Sequence, residues 1–158
     1  MLGRLFHRTE QAELATSLLF NERTFYAQFR QDLERAKKEI VIESPFMTSR
    51  RVRSLLPDLR RAVQRGVEIT VSTREPEEHE GFLRLEARRS VAALQTTGIQ
   101  VLLTVGHHRK LAIIDRKILW EGSHNILSQN NSREVMRRID STIAAEQMVD
   151  FIQLSEFL

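Results

Sequence analysis

The sequence predicts an α/β fold, a mixed β-sheet flanked by helices on both faces, and three observations carry that expectation. Hydrophobic residues alternate between helical and extended spacing from one end of the chain to the other. No Pro-, Gly- or Ser-rich linker and no low-complexity tract interrupts the alternation. At 158 residues with no cysteine, the chain is long enough to bury one core without disulfide or metal staples. A single domain over 1–158 is therefore expected, with a helical N-terminal extension over 1–22 and a compact core over 23–158.

The elements follow in order. Thr9 is placed to cap a first helix ending near Phe20, and Thr24 to cap a second in which Phe25, Phe29, Leu33 and Ala36 share one face. Glu39-Ile40-Val41-Ile42-Glu43 reads as a short strand. A helix is expected from about Ser49 to Arg65, stopped by Gly66, with Pro57 either kinking it or opening its second part. Val67 to Val71 is the next strand, Gly81 to Thr97 a helix ended by Gly98, and Ile99 to Thr104 a strand. Lys110 to Asn125 has the pattern of a hairpin, Arg133 to Ile139 of a further strand, and Ile143 to Leu154 of a closing helix.

Composition narrows the function classes. The absence of cysteine excludes disulfides, thiolate zinc sites and cysteine nucleophiles, and it fits a reducing cytoplasm. Met1 to Arg8 mixes Arg4, His7 and Arg8 with single apolar residues, and the longest apolar run nearby is Leu18-Leu19-Phe20, so neither a signal peptide nor a membrane span is expected. Basic residues outnumber acidic ones by 24 to 21, mostly as arginine, whose planar fork suits phosphate. Arginines cluster at Arg50-Arg51-Arg53, Arg60-Arg61, Arg84-Arg88-Arg89 and Arg137-Arg138. Each cluster reads equally as a solvated helix face or as part of a track for a polyanion.

The informative stretch runs from Gly106 to Asn125. Two apolar runs, Leu111 to Ile114 and Ile118 to Trp120, flank Asp115-Arg116-Lys117 as two buried strands would flank a tight turn. A two-residue turn at Arg116 and Lys117 would place Lys110 opposite Ser123 and His108 opposite Asn125. Alternation would then gather an imidazole, an ammonium, a hydroxyl and a carboxamide on one patch. An imidazole can attack phosphorus, while an ammonium and an amide can hold the oxygens on which charge accumulates. Gly122 would allow close approach of backbone. Asp115 has the opposite parity from the patch and reads as a turn or structural residue.

This stretch resembles the signature of the phospholipase D superfamily: His108-x-Lys110, four residues, Asp115, six residues, then Gly122-Ser123-x-Asn125. The flanks agree, since Ile40 to Phe46 followed by Leu59, Ala62 and Arg65-Gly66-Val67 is similar to the family's first strand, helix and second strand. The resemblance implies a phosphodiesterase that needs no metal or other cofactor. His108 would be the nucleophile, Lys110 and Asn125 would bind phosphate oxygens, and Ser123 would support them. The family's acidic partner of the nucleophilic histidine is matched best by Glu134, with Glu121 as an alternative. His124, Arg109 and Arg133 are candidates for substrate contact, and His107 also borders the motif. Arg116 stands where the family's turn often has glycine; a positive φ there would cost roughly 1 kcal/mol, leaving a different turn type open.

The motif occurs once, whereas attack and leaving-group protonation need two histidines on opposite sides of phosphorus. The resemblance therefore implies a homodimer with the site across its axis, like the small bacterial nucleases of this family. Nucleic acid, DNA ahead of RNA, is the expected substrate, with no membrane association. A phospholipid-processing enzyme and a non-catalytic DNA-binding module of a larger helicase or nuclease system are the alternatives.

Overall fold

Alternating apolar residues at strand and helix periods fold, in a computed structural model that describes residues 16–129 and 131–152, into a seven-stranded mixed sheet with helices on both faces. In chain order the elements are β1 (Ser17–Asn21), α1 (Phe25–Arg35), β2 (Glu39–Glu43), α2 (Ser49–Gln64), β3 (Glu68–Arg74), a short 3-10 turn (Pro76–Glu78), α3 (Gly81–Thr96), β4 (Gln100–Thr104), β5 (Leu111–Ile114), β6 (Ile118–Gly122), β7 (Val135–Asp140) and α4 (Thr142–Ile152). The strand order is β1-β7-β6-β5-β2-β3-β4. β2, β3 and β4 are parallel, and every other pairing is antiparallel.

The apolar runs in the central strands are continuous because both faces are covered. Ile40, Ile42, Ala112, Ile114 and Trp120 face α1, α2 and α3 across the larger core. Val41, Leu111, Ile113 and Leu119 face Ala145, Val149 and Ile152 of α4. Helix α1 presents Phe25, Phe29 and Leu33, all fully buried, with Ala36 just beyond it, as the spacing requires. Phe25 and Phe29 pack on Trp120 with ring centroids 4.9 and 6.3 Å away. The indole N–H of Trp120 donates to Asp32 at 2.8 Å, and Arg138 closes the same carboxylate with two bonds of 2.8 Å.

Three expectations are corrected. Ser17 to Asn21 is an edge strand on β7, not the end of a helix, and the helix expected from Thr9 otherwise lies outside the described residues. Phe20 explains the choice: in the strand its ring reaches Trp120 at 5.0 Å. Thr24 precedes α1 as expected, but its hydroxyl accepts from the N–H of Asn21 instead of capping the helix, while the Asn21 side chain accepts from Arg23 and Thr24.

The third correction concerns the hairpin. Ile114 pairs with Ile118 and Leu111 with Glu121, so the loop has three residues and the register is shifted by one. Asp115 and Arg116 both take positive φ, 54° and 49°. Long-range contacts stabilise that conformation. The Asp115 carboxylate accepts from the N–H groups of Lys37, Lys38 and Glu39 at 2.7 to 3.0 Å, and the Arg116 guanidinium reaches Glu39 at 2.6 Å. Helix α2 continues through Pro57, and Gly66 at φ 87° ends the turn beyond it.

Candidate active site

The carboxyl ends of β2, β3, β4 and β6 and the amino ends of β5 and β7 share one edge of the sheet. In parallel sheets that edge is where ligands bind, because loops and helix N-termini converge there. The segments 105–110, 123–129 and 131–134 adjoin these strand ends. With the corrected register, Lys110 adjoins Gly122, whose N–H lies 3.4 Å from the Lys110 carbonyl. The strand ladder thus ends one position short of the expected pairing of Lys110 with Ser123.

His108 is exposed, and among the described residues its imidazole makes no hydrogen bond. Lys110, half-buried, donates its ammonium to the His108 carbonyl at 2.8 Å. Ser123 donates its hydroxyl to Glu134 and accepts from the N–H of Val135 at 3.0 Å. Glu134 also accepts from the Ser132 hydroxyl at 2.7 Å. Partial burial alone would raise the Glu134 carboxyl. The hydrogen bonds from Ser123 and Ser132, with the nearby charges of His124 and Lys110, outweigh it and hold the group below its ordinary 4.5. Lys110, Ser123 and Glu134 therefore form one electrostatic group.

Asn125 is half-buried, with its carboxamide oxygen inside and unpartnered, which leaves the nitrogen as its accessible end. Gly122 owes its identity to β7: a Cβ there would fall inside van der Waals contact with the Val135 carbonyl and 2.9 Å from Met136. Asp115 sits at the opposite edge of the sheet, where its hydrogen bonds make it structural. Glu121 stands in the ladder between Leu111 and Arg137.

The residues flanking the motif hold positions that spacing alone did not reveal. His124 is buried, with its ring edge-on to Phe25 and Tyr26. Because the Tyr26 hydroxyl gives its one proton to the Ile126 carbonyl at 2.7 Å, the His124 Nε2, 2.8 Å from that hydroxyl, is the donor between them. Burial lowers the His124 imidazole below its ordinary 6.5. Arg109 forks onto Glu43 at 2.7 and 2.9 Å, and the Glu43 side chain is only 2% exposed. Sequence reading did not find Glu43. Its only local signal is an acid closing an apolar strand. Arg133 is exposed and within electrostatic reach of Glu22.

Several clustered arginines are engaged internally: Arg61 with Asp58, Arg84 and Arg88 with Glu77, and Arg138 with Asp32. Arg51 stacks on Tyr26, with its guanidinium carbon 3.7 Å from the ring centroid. Arg50, Arg60 and Arg89 are exposed. Among the described residues no helix is long and apolar enough to cross a membrane, and no three His, Asp or Glu side chains converge as a metal site.

A family model described as "Cardiolipin synthase, PLD-like domain" matches residues 29–154. Among solved structures, Nuc from Salmonella typhimurium, a phospholipase D family member, is 19% identical, with 87% of this chain and 91% of that chain covered and a TM-score of 0.66. NucT from Helicobacter pylori is 19% identical over 87% and 92%, with a TM-score of 0.68. The phosphatidylserine synthase of Haemophilus influenzae Rd KW20 is 16% identical over 93% of this chain and 40% of that one, with a TM-score of 0.74. No curated protein matches the sequence. At these identities the structural likeness speaks for the fold.

Proposed function

The chain belongs to the phospholipase-D-like family, and from that premise we propose that it is a metal-independent endonuclease working through a phosphohistidine at His108. The observation that carries this reading is the exposed, unengaged imidazole of His108 two residues from the Lys110 ammonium, at the ligand-binding edge of the sheet.

The chemistry divides into two displacements. A ring nitrogen of His108 attacks phosphorus, and the bond from phosphorus to the leaving oxygen breaks. That oxygen takes a proton from the His108 imidazole of a second copy of the chain, on the far side of phosphorus. The same second imidazole, now neutral, takes a proton from water as the water oxygen attacks phosphorus and the phosphorus–nitrogen bond breaks. A phosphate monoester leaves, and both imidazoles return to their starting states. Lys110 and the carboxamide nitrogen of Asn125 hold the non-bridging oxygens, and Glu134 fixes the Ser123 hydroxyl beside them. DNA is the proposed substrate class and a homodimer the working form, because one chain supplies a single motif histidine.

The test is cleavage of single- and double-stranded DNA in excess chelator, with His108→Ala as control. Chelator-resistant cutting by the wild type, lost in the variant, with radiolabelled phosphate trapped on His108, is expected. An intact dimer that cuts neither substrate near neutral pH would overturn the reading. A lipid reading has one observation in its favour: a groove of about 510 Å3 beside Lys110 is lined by Leu19, Leu111, Val135, Met148 and Phe151, with Arg109 and Arg137 also contributing. Release of headgroup from phospholipid vesicles, with no DNA cleavage, would select it.

A further inference from the structure

Residues 105 to 110 have no regular secondary structure, although they carry the proposed nucleophile. The backbone of this segment is nonetheless fixed. The N–H of Gly106 donates to the Glu78 carboxylate at 3.0 and 3.1 Å, which ties the start of the loop to the 3-10 turn. The His107 Nε2 lies 3.0 Å from the Arg109 carbonyl, and since a carbonyl only accepts, that nitrogen carries the proton. The Arg109 side chain turns back to Glu43, the last residue of β2 and the ladder partner of Leu111.

Glu43 is unusual for the end of a strand. A carboxylate this deeply buried would be costly unless its oxygens were matched by a charged, two-pronged donor. Arg109 supplies that fork, while its own side chain stays 46% exposed. Residue 109 is thereby held twice, by its guanidinium and by its carbonyl, and it lies between His108 and Lys110. Two fixed points on one residue leave its neighbours little backbone freedom.

We propose that Glu43, Arg109 and His107 form a latch that positions His108 and Lys110, so that Arg109 acts through the loop instead of touching substrate. This rests on the reading of His108 as nucleophile. Glu43 and His107 are positioning residues in the same sense. Nothing in the latch moves a proton or bonds to phosphorus; it lowers the disorder that His108 would otherwise lose on reaching the attack geometry.

The experiment is steady-state kinetics of the full chain on DNA and on bis(p-nitrophenyl) phosphate, for Glu43→Gln, Arg109→Ala, Arg109→Lys and the Glu43→Gln/Arg109→Ala double variant. The first two are expected to lower kcat by about 100-fold with KM within about twofold. The double variant should be no worse than either single one, because the pair acts as a unit. Arg109→Lys, which keeps charge without the fork, should fall between. A rise in KM with kcat retained in Arg109→Ala would make Arg109 a substrate contact and overturn the latch, as would wild-type kinetics in Glu43→Gln. Should Glu43→Gln fail to fold, the half-exposed Arg109 variants decide alone.

A wild type inactive on both substrates would sink the nuclease reading, and the latch would then be judged by the imidazole nitrogen resonances of His108. One narrow set that broadens or splits in Arg109→Ala supports it. An unchanged set refutes it.

Discussion

The Lys110 ammonium donates one of its N–H bonds to the carbonyl oxygen of His108, 2.8 Å away, which aims the group beside His108 and leaves its other N–H bonds for phosphate oxygens. Bonds from that ammonium to phosphate oxygens are charge-assisted, about twice as strong as neutral ones. Lys110→Ala should therefore lower kcat by roughly 100- to 1000-fold, the usual loss for one donor to transition-state oxygens. Lys110→Arg should recover only part of it. Single-turnover cleavage of labelled DNA measures both, and a Lys110→Ala enzyme changed in KM alone would remove Lys110 from the transition state.

Asp115→Ala removes the acceptor of three backbone N–H groups and leaves alanine at φ 54°. Loss of that acceptor and left-handed strain together should cost about 2–3 kcal/mol. Asparagine tolerates that φ and keeps one oxygen, so Asp115→Asn should cost less. Urea unfolding checks the order. Turnover per folded molecule should be unchanged, because Asp115 lies at the opposite edge of the sheet from His108.

Gly122→Ala would drive a methyl into the backbone of Val135 and Met136. β6 and β7 must separate to admit it, at about 1–3 kcal/mol for an overpacked site. The same movement would pull Ser123 from Glu134, so activity should fall further than stability alone explains. A variant with full activity and an unchanged melting curve would contradict this packing.

Stability should decline on the acid side in two stages. Burial is the leading cause that lowers the imidazoles of His79, His107 and His124 below 6.5. Their neutral forms therefore contribute fully above pH 6.5. Below it the unfolded chain takes up protons before the folded one does, and stability falls with pH. A second loss should begin near pH 4.5, where the unfolded chain protonates before Glu22, Glu77, Glu78 and Glu134, all lowered in the fold by hydrogen bonds or ion pairs. Urea midpoints at pH 7.5, 6, 5 and 4 follow both stages; a flat profile from pH 7.5 to 5 would refute the first.

Much of this was legible because its causes are local. The face of Phe25, Phe29 and Leu33 and the limits of β2 follow from spacing. What escaped depends on distant partners. Ser17-Leu18-Leu19-Phe20-Asn21 suits helix and strand alike, and only β7 and Trp120 decide for the strand. The hairpin register turned on Asp115, whose carboxylate is engaged by residues 37 to 39, nearly eighty positions earlier. Within the site, the spacing of His108 and Lys110 was plain. The pairing of Arg109 with Glu43 was not, since nothing local distinguishes an arginine that binds substrate from one that closes a buried carboxylate.

β1 lies outside the 29–154 span matched by the family model, yet it covers the outer edge of β7, the strand that follows Glu134. Trimming the chain to the matched span would strip β7 of its partners on the side away from β6 and leave a raw edge open to pairing between molecules. The sheet is thus wider than the span recognised by sequence likeness. Shortened versions made for crystallisation or fusion should keep at least Thr16 onward, or aggregation could be mistaken for lost catalysis.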